Sequence, residues 1–367
     1  MSTKLRRGTP SIAYVCESCI SSLRTSQRTP TSPSQHLRRL TTASAQPESR
    51  SSPSSSALDN SSSSSSAPPT ALPSPSSFTS PSINTYLTTS APSASQLLLA
   101  DRFFAAGNPR FLFSSPTYRD FPATPAPEVA FLGRSNVGKS SLLNGLLGRT
   151  KQRVAHVSKK PGRTRTMNAF LVGPGEGGVR DVVVGLDEKG RKKVRKEPWV
   201  GAGGGNVVVV DMPGYGKGSR KEWGEEIFKY LSKRDQLRRA FLLVDAEHGL
   251  KDSDTYILNG FRANGIPHEI VLSKADKILL PRPRMPSPEA WQRHLAHMRH
   301  ASEKVYDGIV RLHGGRGMRL NAILACSGEK RDANGKLLGM DALRWAVLQA
   351  AGLGAAQLEQ LLPRRRA

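Results

Sequence analysis

The sequence has few cysteines, few aromatic side chains and no long apolar run. Its cysteines are Cys16, Cys19 and Cys326, too few for a disulfide scaffold, so we expect an intracellular or organellar protein. Aromatic residues make up 6% and hydrophobic residues 37% of the chain, less than a chain packed throughout would need. No run of about 18 apolar residues occurs, which excludes a membrane-spanning helix. We therefore expect part of this chain to remain unfolded.

Acidic residues are also scarce. Lysine and arginine total 54 against 29 aspartate and glutamate residues, which gives a formal net charge of +25. An excess of this size favours binding to polyanions such as RNA or anionic lipid, although it carries no information about the fold.

Residues 1–95 are dominated by serine, threonine and proline, including the serine run 61–66. Such a segment buries too little apolar surface to offset the entropy of ordering it, so it is predicted to be a disordered extension. Its first fifty residues are rich in arginine and poor in acid, with apolar residues at helical spacing between Ile12 and Leu23. This composition is typical of a transit peptide, the alternative being a plain disordered tail. We predict that the protein is located in the mitochondrial matrix. A plastid or the cytoplasm is a less favoured location.

Apolar runs alternate with helical patterns from residue 96 to 353, which predicts an α/β domain. The predicted strands are residues 129–132, 169–172, 207–210, 240–244, 268–272 and 321–325. We expect a mostly parallel six-stranded sheet with helices on both faces. A glycine-rich, charged stretch at 173–205 reads as an insertion in a hairpin, and residues 354–367 read as a basic tail.

A phosphate-binding motif follows the first predicted strand. Residues 133–140 read GRSNVGKS, which fits G-x-x-x-x-G-K-[ST] between a strand and a helix. Glycines let backbone N–H groups turn towards phosphates, and the helix beginning at Lys139 directs its positive end there. Lys139 would neutralise the β- and γ-phosphates, and the Ser140 hydroxyl would bind Mg²⁺. The predicted contacts are Gly133, Arg134, Ser135, Asn136, Val137, Gly138, Lys139, Ser140 and Ser141.

Three later motifs follow predicted strands at the edge where open α/β sheets bind ligands. Asp211 would hold a Mg²⁺-bound water while the Gly214 amide reaches the γ-phosphate. The Asp276 carboxylate can accept two hydrogen bonds from guanine, a donor pair that adenine lacks, so the nucleotide is predicted to be GTP. The backbone that follows the last strand would contact the guanine O6. The residues of these three motifs are Asp211, Met212, Pro213, Gly214, Ser273, Lys274, Ala275, Asp276, Ala325, Cys326 and Ser327.

Five segments together resemble the EngB family of Era-like GTPases. They are residues 128–144 (EVAFLGRSNVGKSSLLN), 160–168 (KPGRTRTMN), 211–216 (DMPGYG), 242–254 (LLVDAEHGLKDSD) and 271–277 (VLSKADK). The resemblance implies a P-loop G domain that hydrolyses GTP and helps to assemble the large ribosomal subunit. It also implies a link to cell division and septation, which bacterial members have. We expect the chain to act as a monomer whose partners are GTP and the large subunit with its rRNA.

The resemblance also implies roles for single residues. The first switch is residues Gly162, Arg163, Thr164, Arg165 and Thr166. Ser140 and Thr164 would bind Mg²⁺, and Lys139, Thr164 and Gly214 would support hydrolysis. Two positions depart from the family pattern: Ser273 replaces a threonine, and Cys326 replaces a serine of the base-contacting loop.

Two features bear on the hydrolysis rate. Tyr215 stands where Ras-like proteins place a water-orienting glutamine, so we expect slow intrinsic hydrolysis. Asn136 matches an asparagine with which related GTPases bind K⁺. It could equally serve only to form hydrogen bonds with the backbone of the loop.

The insertion has two interpretations. Its six crowded cations are Lys189, Arg191, Lys192, Lys193, Arg195 and Lys196, close to Trp199. Such a run is commonly a solvated loop, but it can also contact RNA. Because the insertion lies between the first switch and Asp211 in the sequence, an RNA contact there would report the nucleotide state. The function likewise has two candidates: ribosome assembly, which the basic excess favours, or a GTP-dependent switch in division or another organelle process without RNA contact.

Overall fold

The computed structural model describes residues 82–148, 166–186, 188, 191–201, 204–216, 221–282, 285–314 and 320–362. The predicted transit peptide and switch residues 162–165 lie outside this part of the chain. Within it, no helix combines the length and the apolar character needed to cross a bilayer.

The described residues form a large mixed sheet and a separate hairpin. The strands are β1 (Thr85–Tyr86), β2 (Arg110–Ser115), β3 (Glu128–Gly133), β4 (Met167–Val172), β5 (Gly177–Leu186), β6 (Lys192–Val200), β7 (Val207–Asp211), β8 (Leu237–Asp245), β9 (His268–Ser273) and β10 (Ala322–Ala325). Eight of them follow the order β1-β10-β9-β8-β3-β7-β4-β2, and β5 pairs with β6. The strands from β10 to β7 are parallel, whereas β1, β4 and β2 run antiparallel to their neighbours.

Helices cover both faces of the sheet. They are α1 (Ala94–Ala106), α2 (Lys139–Leu146), α3 (Lys221–Lys233), α4 (Asp252–Ala263), α5 (Asp276–Leu279), α6 (Pro288–His313), α7 (Met340–Ala350) and α8 (Ala355–Leu361). The α6 helix shows why these segments start and stop where they do. The Ser287 hydroxyl accepts from the Ala290 amide, Pro288 takes the first helical position, and Gly314 ends the helix at φ +61°. Each of these residues satisfies a helix end or fits its backbone geometry.

The core consists of two apolar layers separated by the sheet. Phe131 and Leu132 are neighbours on β3 but belong to opposite layers, because successive side chains of a strand point to opposite faces. One layer packs against α3, α4 and α6, and the other against α1, α2, α7 and α8. Strands buried on both faces read as continuous apolar runs, which is why they are visible in the sequence.

The predicted α/β fold is confirmed, and all six predicted strands are present. The sheet has eight strands rather than six, because β1 and β2 were not predicted. The domain is also longer than residues 96–353. Strand β1 (Thr85–Tyr86) pairs with β10, and α8 buries Leu358 beyond the predicted end. Residues 82–95 and 354–362 therefore belong to the folded part.

The insertion at 173–205 contains the β5–β6 hairpin, as expected for a hairpin insertion. Its position differs from the expectation, however. In the β4–β7 pair, Asn168 faces Asp211, while Val172 faces Val207 at the opposite end of both strands. The hairpin leaves the sheet at Val172 and returns at Val207, so closeness to Asp211 in sequence does not make it a neighbour of that residue.

Candidate functional site

The predicted motifs meet at one edge of the sheet, where the parallel strands end. The loops after β3, β7, β9 and β10 all leave this edge. Because carboxyl ends of parallel strands share one edge, this is where open α/β sheets hold ligands.

The loop between β3 and α2 has the backbone of a phosphate cradle. Asn136 and Gly138 have left-handed φ values of +66° and +93°, a conformation that asparagine and glycine adopt more readily than other residues. A Cβ atom on Gly133 would lie 2.7 Å from the Val137 side chain, so this turn requires glycine. Helix α2 begins at Lys139, and its first N–H groups make this loop a suitable anion site.

The P-loop lysine meets the carboxylate at the end of β7. The Lys139 ammonium forms an ion pair with Asp211, and both side chains are buried. Ser140 follows Lys139 on the first turn of α2 and is half-buried. A buried ammonium, a carboxylate and a hydroxyl are the groups that a Mg²⁺–phosphate ligand needs. The residues present therefore fit such a ligand.

The loop after β7 is bonded to the P-loop along its backbone. The Ser135 amide donates to the Tyr215 carbonyl at 3.0 Å, and the Met212 amide donates to the Phe131 carbonyl at 3.1 Å. Gly214 lies so close that an added Cβ would sit 3.1 Å from the Ser135 hydroxyl. Residues 211–214, Pro213 included, are thus placed directly beside the phosphate loop.

Asp254 joins three segments beneath this site, and the sequence analysis gave it no role. Its carboxylate lies 3.0 Å from the Arg134 Nε and accepts from the Tyr215 hydroxyl at 2.8 Å and from the Lys251 amide at 3.0 Å. Asp254 is fully buried. Burial raises its pKa, although the hydrogen bonds from Tyr215 and Lys251 and the positive charge of Arg134 act in the opposite direction. Burial and the nearby carboxylate also raise the pKa of Tyr215. We call Arg134, Tyr215 and Asp254 the latch.

A cavity of about 160 Å³ lies between the P-loop and the loops after β9 and β10. Its lining residues are Gly138, Ser141, Leu142, Ser273, Lys274, Asp276, Lys277, Ser327, Gly328 and Glu329. The Ser273 hydroxyl donates to the Val137 carbonyl at 2.7 Å, which fastens the β9 loop to the P-loop. A threonine, which the family resemblance implies at this position, also carries a hydroxyl group.

Lys274 and Asp245 hold the β9 loop against the P-loop. Lys274 has a left-handed φ of +56°, and its side chain passes 3.6 Å from where a Cβ on Gly138 would lie. Its ammonium bonds to Asp245 at 2.9 Å. Burial alone would raise the pKa of Asp245, but hydrogen bonds from Lys274 and His248 outweigh it and lower this pKa to about 2.

The predicted contact of residues 325–327 with guanine stays a prediction, and Ser327 lines the cavity. The Ala325 amide donates to the Asn84 side chain at 2.8 Å. The Cys326 amide donates to the Leu272 carbonyl and the Ser327 amide to the Leu338 carbonyl, each at 2.9 Å. These three amides are thus engaged within the protein, and Gly328, the next residue, also lines the cavity.

Cys326 has a packing role. Its buried thiol donates to the Gly339 carbonyl at 3.2 Å, and burial raises its pKa. The Cys326 carbonyl accepts from the Ala275 amide at 3.1 Å, which ties the β10 loop to the β9 loop. Sequence reasoning missed Gly328 and Asn84, because neither belongs to a recognisable motif.

Part of the predicted first switch is described. Thr166 precedes β4, and its hydroxyl donates to the Asn168 side chain at 3.2 Å. Residues 162–165 lie outside the described part of the chain, so the Mg²⁺ contact of Thr164 stays a prediction.

The chain is similar to known GTP-binding proteins. A family model described as 50S ribosome-binding GTPase matches residues 128–274. The probable GTP-binding protein EngB of Bradyrhizobium diazoefficiens is 37% identical over 188 residues, which cover 50% of this chain and 72% of that protein. That of Oenococcus oeni is 35% identical over 176 residues, covering 47% and 72%. A crystal structure of a probable GTP-binding protein EngB is 18% identical, with a TM-score of 0.30 over 61% of this chain and 98% of that one. From the two sequence matches, which span most of each relative, we conclude that the chain belongs to the EngB family of GTP-binding proteins.

Proposed function

We propose that this protein is a Mg²⁺-dependent GTPase switch that assists assembly of the large ribosomal subunit in mitochondria. The observation that carries the switch is the cavity in which the P-loop, Asp276 and Gly328 come together. Support for the ribosomal partner comes from the matched family model, which is described as a 50S ribosome-binding GTPase. The net charge of +25 suits a partner made largely of RNA.

Nucleotide binding would exchange the buried ion pair for contacts with the ligand. Lys139 would turn from Asp211 to the β- and γ-phosphates, and Asp211 would accept a hydrogen bond from a Mg²⁺-bound water. Ser140 and Thr164 would hold the Mg²⁺ ion. When bound, Mg²⁺ supplies positive charge that offsets the negative charge of the phosphates.

Base recognition would rest on Asp276. This residue lines the cavity at the start of α5. An ionised carboxylate only accepts hydrogen bonds, so it matches the guanine N1–H and 2-amino group and mismatches the adenine edge.

Hydrolysis without a partner would be slow. The Tyr215 hydroxyl, at the position of the Ras-like glutamine, already donates to Asp254, so its proton is engaged and would not orient a water. The left-handed φ of Asn136 is by itself a sufficient reason for asparagine at this position, without a bound cation. Comparing GTPase rates in KCl and NaCl tests the potassium alternative. Equal rates, also for Asn136→Ala, would exclude it.

Sedimentation of organelle extract tests the ribosomal role. We expect the protein to co-migrate with large subunits when a non-hydrolysable GTP analogue is present and to stay at the top of the gradient with GDP. Absence from the large-subunit fractions in both states would contradict the proposal and favour a switch without RNA contact. Imaging a fluorescent fusion of residues 1–95 tests the mitochondrial assignment.

A further inference from the structure

The β5–β6 hairpin is an arm that the fold does not need. Its strands pair from Gly177 opposite Val200 to Leu186 opposite Lys192. None of its described residues belongs to either core layer. At the base of the arm, the Gly201 amide donates to the Glu176 carbonyl at 2.9 Å, so the two ends already meet. At about 3.3 Å per residue, the longer strand extends about 30 Å.

The arm lies at the end of the sheet opposite the nucleotide site. It joins β4 and β7 at Val172 and Val207, while Asp211 lies at the other end of β7. Every residue of β7 is buried, and close-packed strands of this kind do not bend easily. Nothing in the described residues of the arm approaches the cavity.

One face of the arm combines cations with an aromatic ring. Side chains alternate along a strand, so Lys193, Arg195 and Trp199 of β6 share one face. Arg180 pairs with Glu197 across the strands and lies on the same face. We call Arg180, Lys193, Arg195 and Trp199 the basic face.

The basic face is accessible. Its three cations are exposed, and Trp199 is half-buried beside Gly178, where an added Cβ would lie 3.8 Å from the indole nitrogen. Arg195 pairs with Glu197 at the surface. Exposed pairs of this kind are weak, so Arg195 can exchange that partner for a phosphate at little cost.

We propose that the basic face binds RNA, with the cations on phosphates and Trp199 against an unpaired base, and that this contact does not depend on the bound nucleotide. Cations interleaved with an aromatic are the groups that bind single-stranded RNA. Of the three valines that are exposed among the described side chains of the arm, Val179 and Val183 lie on the other face and Val184 lies in the bulge of β5. Three such side chains are too few to anchor the arm in a bilayer. The inference rests on the proposed function, because a protein that binds the large ribosomal subunit meets rRNA there.

The test compares two triple variants of the full chain. Arg180→Gln, Lys193→Gln and Arg195→Gln together remove the cations of the basic face. The matched control removes the same charge from exposed positions of α6, with Arg293→Gln, Lys304→Gln and Arg311→Gln. Binding to a fluorescein-labelled RNA stem-loop with a single-stranded tail is measured by anisotropy between 50 and 300 mM KCl, with GDP and with a non-hydrolysable GTP analogue.

We expect the basic-face variant to bind RNA about tenfold or more weakly, with a salt slope lower by about two. The losses of RNA affinity and of salt slope should be the same with GDP and with the GTP analogue. GTP affinity and melting temperature should stay unchanged, because the arm is outside the core. Trp199→Leu should weaken binding without changing the slope. The α6 control should retain nearly full RNA affinity.

Three results would overturn the inference: unchanged RNA binding, an equal loss in the α6 control, or a loss confined to one nucleotide state. Vesicles of phosphatidylserine and phosphatidylcholine provide a second probe, and a loss of vesicle binding with intact RNA binding would also overturn it. A different result would contradict the proposed function alone: the wild-type protein binds the stem-loop but never co-migrates with large subunits. If the protein co-migrates and the variant binds RNA normally, only the inference fails.

Discussion

Asp254 shows how much a single buried side chain can organise. It is fully buried and connects Arg134 of the P-loop, Tyr215 of the β7 loop and the start of α4. A buried carboxylate without partners would be very costly, so these three segments must stay together while it is ionised. The latch therefore fixes the loop after β7 relative to the P-loop.

Replacing this carboxylate should destabilise the protein substantially. For Asp254→Ala we expect the free energy of unfolding to fall by about 3 kcal/mol, since a partly buried arginine and a buried hydroxyl lose their partner. Urea unfolding without nucleotide measures this change. Asp252→Ala, an exposed position in the same helical turn, is the control and should cost at most about 1 kcal/mol. Equal effects of the two substitutions would show that the latch does not hold these loops.

The lowered pKa of Asp245 predicts how the stability of the protein depends on pH. Its folded-state pKa of about 2 lies below its ordinary value of 3.8, so the folded state favours the charged form. The stabilisation is present above about pH 4 and is lost as the pH falls towards 2. We expect wild type to lose more stability than Asp245→Asn over this range, measured by urea unfolding at each pH. Glu247→Gln, an exposed neighbour, should follow the wild-type curve. An Asp245→Asn curve parallel to wild type would contradict the assignment.

At the scale of elements, the shortest strand supports the loop after β10, for which we predict base contact. Strand β1 (Thr85–Tyr86) pairs with β10, and the buried Asn84 accepts from the Ala325 amide. That amide begins the loop that reaches Gly328 in the cavity. The segment before α1 therefore helps to support the loop that lines the cavity, although it lies far from the motifs in sequence.

Removing the Asn84 side chain tests this support. Asn84→Ala leaves a buried amide without its acceptor, which costs about 1–3 kcal/mol. We expect GDP affinity, measured with a fluorescent nucleotide, to fall by roughly three- to tenfold. A change of this size corresponds to only part of the energy lost at the amide. Thr89→Ala, an exposed position just after β1, is the control and should bind GDP like wild type. Unchanged affinity in the Asn84 variant would show that β1 does not position the loop.

The elements that sequence reasoning found and missed differ in one physical respect. Strands β3, β7 and β9 are buried on both faces, so their apolar runs are continuous and the motifs after them are easy to place. Strand β2 is an edge strand with a bulge between Phe111 and Phe113, which breaks the alternation that would reveal it. The partners of Asp254 and Asn84 depend on which strands become neighbours, and local pattern does not contain that information.

The whole molecule separates its two proposed contacts. The nucleotide cavity lies at the carboxyl ends of the parallel strands, and the arm leaves the opposite end at Val172 and Val207. A nucleotide-dependent contact at one end and a constant contact at the other would let the protein stay near its RNA while the switch changes state. This arrangement depends on the cavity being a guanine site.

Nucleotide selectivity tests that central claim most directly. Competition against a fluorescent guanine nucleotide should show that the wild-type protein prefers GTP to both ATP and XTP. Asp276→Asn should weaken GTP binding by about a hundredfold, since the hydrogen bond from the guanine 2-amino group is lost and that from N1–H loses its charged acceptor. The variant should favour XTP, whose C2 carbonyl accepts from the asparagine amide. Glu329→Gln, another carboxyl position of the cavity, should keep the preference for GTP. An Asp276→Asn protein that binds GTP as tightly as wild type would contradict the account.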